Sequence, residues 1–180
     1  MFNIIQNADI LAVKFFYTFQ HLLQNDLFSK IMIFFTRLGD HGIIWIGLST
    51  VLLLTKKYRK VGFISLLSLL ICSIIVNITL KPLVQRERPF NEISDIILLI
   101  NAPKDYSFPS GHTAASFVMT YIFFKNIKKY SAFILTVAIL ISFSRLYLTV
   151  HYVSDVAAGI LIGLFSGYAG QKIFDTFKKK

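Results

Sequence analysis

Cysteine is nearly absent from this chain: among 180 residues there is only Cys72. An intramolecular disulfide and a thiolate metal cluster are therefore excluded. Proline is also scarce, and all four, Pro82, Pro89, Pro103 and Pro109, fall between residues 81 and 109, which reads as a loop. Acidic residues number nine against nineteen Lys and Arg, for a formal charge of +10. Only 16% of the chain is charged, whereas 55% is hydrophobic, with 18 Phe. That is too apolar for an ordinary soluble domain and points to a membrane protein. The first ten residues lack a charged segment followed by a continuous apolar run, so no cleaved signal peptide is read. The length predicts one domain, 1–180.

The apolar residues are arranged in helical stretches. Leu11, Phe15, Phe19 and Leu22 recur at near-helical spacing, interrupted by Lys14, Gln20, His21 and Gln24. This predicts an amphipathic helix at the membrane interface over 8–24. Asn25 and Asp26 read as the start of a second short helix over 26–37. The expectation is an all-α polytopic membrane bundle with five clear transmembrane helices, at about 41–55, 61–80, 110–125, 130–148 and 152–173, or six if the N-terminal region spans. Residues 61–80 carry no charge and at ~1.5 Å per residue cover ~30 Å, the thickness of a bilayer core. Residues 1–38 are then interfacial and 39–174 form the bundle.

Three basic clusters follow the expected spans: Lys56, Lys57, Arg59 and Lys60; Lys125, Lys128 and Lys129; Lys172 and Lys178 to Lys180. Alternation across five spans places all three on one side, which the positive-inside rule makes cytoplasmic. That accounts for much of the positive charge without a nucleic-acid partner. The 81–109 loop and the 144–155 stretch then face the extracytoplasmic side. Gly159, Gly163 and Gly167 repeat every four residues, a pattern of close helix packing that would also suit a homodimer.

Polar residues concentrate in three stretches. His151 and Asp155 stand four apart, sharing one helical face. A carboxylate beside an imidazole fixes its tautomer and supports positive charge on it, as a nucleophilic histidine requires. Pro109-Ser110-Gly111-His112 opens a helix whose free N–H groups suit an anion. Lys81, Arg88 and Arg145 supply charge for phosphate oxygens. In this reading His151 attacks phosphorus with Asp155 behind it, and His112 protonates the departing oxygen. Ionisable groups at membrane depth are costly and functional by default. Surrounded by these cations, a metal site is not expected, nor is a cofactor.

These stretches resemble the signature of the type 2 phosphatidic acid phosphatase (PAP2) superfamily. They run Lys81…Arg88-Pro89, then Pro109-Ser110-Gly111-His112, then Ser144-Arg145…His151…Asp155. The resemblance implies a metal-independent lipid phosphatase with His151 as nucleophile and His112 as general acid. It implies that Lys81, Arg88, Ser110, Gly111 and Arg145 bind phosphate and that Asp155 orients His151. Many bacterial members have six spans, and residues 8–35 would have to cross the membrane to supply the sixth.

The substrate expected is a membrane lipid phosphate or diphosphate: undecaprenyl diphosphate first, phosphatidylglycerophosphate or phosphatidic acid second. A lipid phosphotransferase would keep the pocket and change the acceptor. A non-enzymatic transporter or scaffold would need neither nucleophile nor orienter. Outside the signature, Arg86 reads either as an interfacial anchor or as a contact to a second phosphate. Tyr147 and Tyr152 read as interfacial aromatics, and His41 as an ordinary helix-start residue. The apolar run Ile96 to Ile100 reads as dipping into lipid or packing as a loop.

Overall fold

A computed structural model describes residues 2–23 and 26–178. The expected start at Asn25 and the tail residues Lys179 and Lys180 lie outside them. Among the described residues the elements are all helical. In order they are α1 (Phe2–Leu23), α2 (Asp26–Leu38), α3 (Ile43–Leu54), α4 (Arg59–Ser73), α5 (Lys81–Val84), α6 (Pro89–Glu92), α7 (Gly111–Asn126), α8 (Lys128–Tyr147) and α9 (Val153–Lys178). The α2–α3 junction is a tight turn in which His41 and Gly42 take left-handed φ values of 53° and 65°. That conformation is easy for Gly42 and costly for His41. From α4 the chain continues through a π-helical segment, Ile74–Leu80, straight into α5. A wider turn there shifts the face presented by the residues that follow.

The core is built around α7, which packs on α4, α8 and α9. Trp45, Met119, Phe123 and Ile141 form one buried cluster, and Ile64, Val76, Val118 and Ile122 another. The Trp45 indole donates to Ser116 Oγ at 3.0 Å, so its polar edge is not stranded in the core. The α7–α9 contact depends on the glycine repeat. A Cβ at Gly163 would lie 2.3 Å from the Ala114 carbonyl oxygen, and one at Gly167 would lie 2.8 Å from Tyr121 Cβ. The repeat thus serves close packing inside the bundle, since apolar helices in lipid gain little from burial alone.

The number of spans differs from the expectation of five or six. Among the described residues, three helical stretches are long and apolar enough to cross a membrane: Arg59–Glu92, Lys128–Tyr147 and Val153–Phe177. A fourth is added if Asp26–Leu38 and Asp40–Leu54, bent by 46°, act as one span. The expected span at 41–55 is the 12-residue α3, and that at 110–125 is the 16-residue α7. At ~1.5 Å per residue these reach only ~18 and ~24 Å. α7 is wrapped by α4, α8 and α9 and buries most of its apolar residues, whereas α3 packs mainly on α4, buries Trp45, Ser49 and Leu52, and leaves Ile43, Ile46, Val51 and Leu54 exposed. Hydropathy does not separate a helix buried in protein from one crossing lipid.

The long helices place the polar and basic regions at opposite ends. At one end α5 leaves α4, α7 begins, α8 finishes and α9 starts. At the other, Asn126 donates to Gln171 Oε1 at 2.9 Å, and the rings of Phe63 and Phe174 are 5.9 Å apart. Arg59 and Lys60 start α4, Lys125 lies in the last turn of α7, Lys128 starts α8 and Lys172 lies in the last third of α9, so these described members of the basic clusters stand at that end. The glycine packing predicts that Gly163→Val destabilises the protein by about 1–3 kcal/mol. Gly47→Ala, where nothing lies within 4 Å of the added carbon, should be neutral. Thermal unfolding of the detergent-solubilised variants measures the difference.

Candidate active site

The turn between α8 and α9 carries His151 into the bundle, fully enclosed beside Asp155. His151 Nδ1 lies 3.3 Å from Asp155 Oδ2. The same oxygen accepts from Ser107 Oγ at 2.6 Å and from the Tyr152 N–H at 2.9 Å. A proton held on Nδ1 by this carboxylate leaves the Nε2 lone pair free. Nε2 sits 3.4 Å from Arg88 Nη1, and His151 lines a cavity of ≈ 980 Å³. Burial, then the charges of Arg88, Arg145, Lys81 and His112, hold the imidazole well below the usual histidine range. It is therefore neutral at neutral pH.

Lys81, Arg88 and Arg145 line the same cavity. Arg88 donates from Nη1 to the Val150 carbonyl at 2.6 Å and from Nε to the Asp105 carbonyl at 2.8 Å. Its Nη2 and the Lys81 ammonium grip the two carboxylate oxygens of Asp105. Burial alone would raise the Asp105 carboxyl, but Lys81 and then Arg88 more than offset this and hold it well below the usual carboxylate range. An anion thus already sits on two of the cations. Arg145 donates to Thr36 Oγ1, while its Nε is buried without a protein partner. A buried guanidinium donor without a partner is costly, and Arg145 carries one at the wall of the cavity.

His112 lies on the first turn of α7 and faces the cavity, its Nε2 2.9 Å from Asp40 Oδ1. Ser110 caps the helix, its Oγ accepting from the Thr113 N–H at 3.5 Å, and is fully buried. Gly111 lines the cavity, whereas Ser110 and Asp155 do not. The eight predicted residues are thus brought to one end of the bundle, with Asp155 behind the wall and Ser110 turned into its own helix. Among the described residues no three His, Cys, Asp or Glu side chains converge as metal ligands would.

Several residues took places that spacing did not suggest. Arg86 is neither an anchor nor a cavity residue: it donates to Asp155 Oδ1 at 2.7 Å and to Asp9 Oδ2 at 2.8 Å. Tyr147 and Tyr152 are fully buried, not interfacial. Tyr147 pairs with Ser29 Oγ at 2.8 Å, and the Tyr152 ring lies 3.8 Å from the Arg86 guanidinium. Asp40, not its neighbour His41, is the partner of His112. Leu98 and Ile100 pack against the buried cluster of Met32, Tyr147, Leu148 and Val150 and line the cavity, while Ile97 is exposed. Asp40, Asp105 and Ser107 escaped sequence reasoning because loops hold them near the site. The available signal was acidity in a chain with few acids.

The PAP2 superfamily model matches residues 62–179, and the chain belongs to the PAP2 superfamily of membrane lipid phosphatases. It is 31% identical over 149 residues to an undecaprenyl-diphosphatase of Sulfolobus acidocaldarius, covering 82% of this chain and 71% of that one. The crystal structure of LpxE from Aquifex aeolicus matches with a TM-score of 0.73 at 28% identity, over 87% of this chain and 92% of that one. A transmembrane PAP2-type phosphatidylglycerolphosphate phosphatase of Bacillus subtilis shares the fold, with a TM-score of 0.77 at 24% identity, over 97% and 88% of the two chains. The protein is accordingly a multi-pass membrane enzyme of the PAP2 phosphatase type.

The grip of Lys81 and Arg88 on Asp105 yields a prediction. Asp105→Asn frees both cations and should tighten binding of inorganic phosphate or vanadate several-fold, as read by calorimetric titration. Weaker binding would show that Asp105 holds the cations in place instead of competing with the anion.

Proposed function

We propose that the protein hydrolyses the terminal phosphate of a membrane lipid diphosphate, undecaprenyl diphosphate in particular, without a metal. The observation that carries the reaction is His151 Nε2 directed at a cavity lined by Lys81, Arg88 and Arg145, with Nδ1 backed by Asp155. Similarity to the Sulfolobus undecaprenyl-diphosphatase supports the substrate. The cavity walls also include apolar Ile46, Leu69, Leu98 and Leu99, which suit the start of a lipid tail.

In the first step Nε2 forms a bond to phosphorus as the bridging P–O bond breaks. His112 gives its proton to the departing oxygen. Lys81, Arg88, Arg145 and the backbone at Gly111 stabilise the charge that builds on the equatorial oxygens. Ser110 supports that backbone by capping α7. Asp155 stabilises the ring as it becomes positive. In the second step His112 takes a proton from water, whose oxygen attacks phosphorus and breaks the N–P bond. Phosphate leaves and both histidines return to their starting states.

The chain is read as one domain, 1–180, with 39–174 as the catalytic bundle and 1–38 as interfacial helices. The shared basic end is placed in the cytoplasm with the C-terminus, and the site opens on the extracytoplasmic side.

Purified protein is expected to release phosphate from undecaprenyl diphosphate in the presence of chelator, and His151→Ala to release none while still binding vanadate. Faster release from phosphatidylglycerophosphate or phosphatidic acid would move the substrate. Release only on addition of a second lipid would make the enzyme a phosphotransferase. For orientation, a cysteine replacing Ser94 should react with an impermeant thiol reagent outside intact cells, and one replacing Lys57 should be shielded. The reverse pattern would invert the topology.

A further inference from the structure

Asp9 lies on α1, far in sequence from the signature, yet only 3% of it is exposed. A carboxylate so placed is costly unless paired and hydrogen-bonded. Its partners are the Ser154 N–H, donating to Oδ1 at 3.0 Å, the Ser154 hydroxyl, and Arg86 Nη2 at 2.8 Å. Arg86 Nη1 in turn donates to Asp155 Oδ1 and to Ser154 Oγ, both at 2.7 Å. Its Nη2 also meets Gln6 Oε1 at 3.0 Å, and its plane rests on Tyr152. A continuous line of charge therefore runs from His151 through Asp155 and Arg86 to Asp9.

We infer that Asp9 and Arg86 are positioning residues for the His151 nucleophile, acting through Asp155. This rests on the phosphohistidine reaction proposed above. Asp155 Oδ2 already serves Nδ1, Ser107 and the Tyr152 N–H. Arg86 holds the other oxygen and so sets the plane of the carboxylate. Arg86 alone would draw Asp155's charge away from the imidazole. Asp9 shares the guanidinium, leaving two carboxylates against one cation behind the ring. That surplus of negative charge favours the positive charge that builds on His151 as Nε2 bonds to phosphorus. Docking of α1 does not by itself need this arrangement, because Val13 is buried and Gln20 Nε2 donates to the Tyr147 carbonyl at 3.1 Å further along the same helix.

The test is steady-state kinetics of full-length, detergent-solubilised protein on a short-chain isoprenyl diphosphate. Asp9→Asn is expected to lower kcat about ten-fold (~1.4 kcal/mol) with KM unchanged. Asp9→Glu should recover most of the loss by restoring the charge. Gln20→Leu unties the same helix without touching the line of charge and should keep the wild-type kcat. Ser154→Ala removes a hydroxyl shared by Asp9 and Arg86 while keeping both charges. It should lower kcat measurably with KM unchanged, and it decides the matter if Asp9→Asn does not fold. Wild-type kcat in a folded Asp9→Asn or in Ser154→Ala, or equal losses in Asp9→Asn and Gln20→Leu, would overturn the inference alone. A wild-type protein that releases no phosphate would overturn both it and the reaction on which it rests.

Discussion

The Asp155 carboxylate is the contact on which the polar end of this bundle depends. It has no exposure, and a carboxylate so buried is costly unless it is paired and hydrogen-bonded. The four donors come from three parts of the chain: Ser107 from the long loop, Arg86 from the segment after α5, and the Tyr152 N–H and His151 from the α8–α9 turn. Its own carbonyl accepts from the Ser110 N–H at 3.1 Å, which ties the start of α7 to the start of α9. One residue thus sets the position of the imidazole and the entrance of the central helix together.

The cations on the cavity side obey the same constraint with the sign reversed. Lys81, Arg88 and Arg145 would repel one another in an apolar surround, and each is held by an oxygen of the protein. Asp105 serves two of them, and Thr36 from α2 serves the third. A phosphate group offers more negative charge and more acceptor oxygens than the Asp105 carboxylate. Its arrival in the proposed reaction would replace one anion with another without exposing bare cations to lipid.

The α1–α2 region, apparently peripheral in sequence, is tied to this end at three depths. Asp9 meets Arg86 and Ser154, Gln20 meets the Tyr147 carbonyl, and Thr36 meets Arg145. Each contact uses a polar group inside a mostly apolar helix, where it would otherwise lack a partner. The segment therefore forms the rear and one side of the polar end. Membership in the PAP2 superfamily is carried by residues 62–179, but the enclosure of their site is completed from outside that range.

Sequence alone determined the helical class, the membrane setting and the family, because long apolar runs and ordered motifs are local signals. The convergence of Lys81, Arg88, His112, Arg145 and His151 on one cavity was legible from the ordered motifs, with His112 and Arg145 at the ends of long helices and Lys81, Arg88 and His151 in segments that follow long helices. The count of spans was not legible. Whether α3 and α7 face lipid or protein depends on what wraps them, and a hydropathy run is identical in both cases. Only the tertiary structure decided the partners that loops deliver: Asp40 to His112, Asp105 to Lys81 and Arg88, and Arg86 to Asp155 and Asp9. These are pairings across long separations, fixed by how helices pack, and residue spacing along one helix carries no record of them.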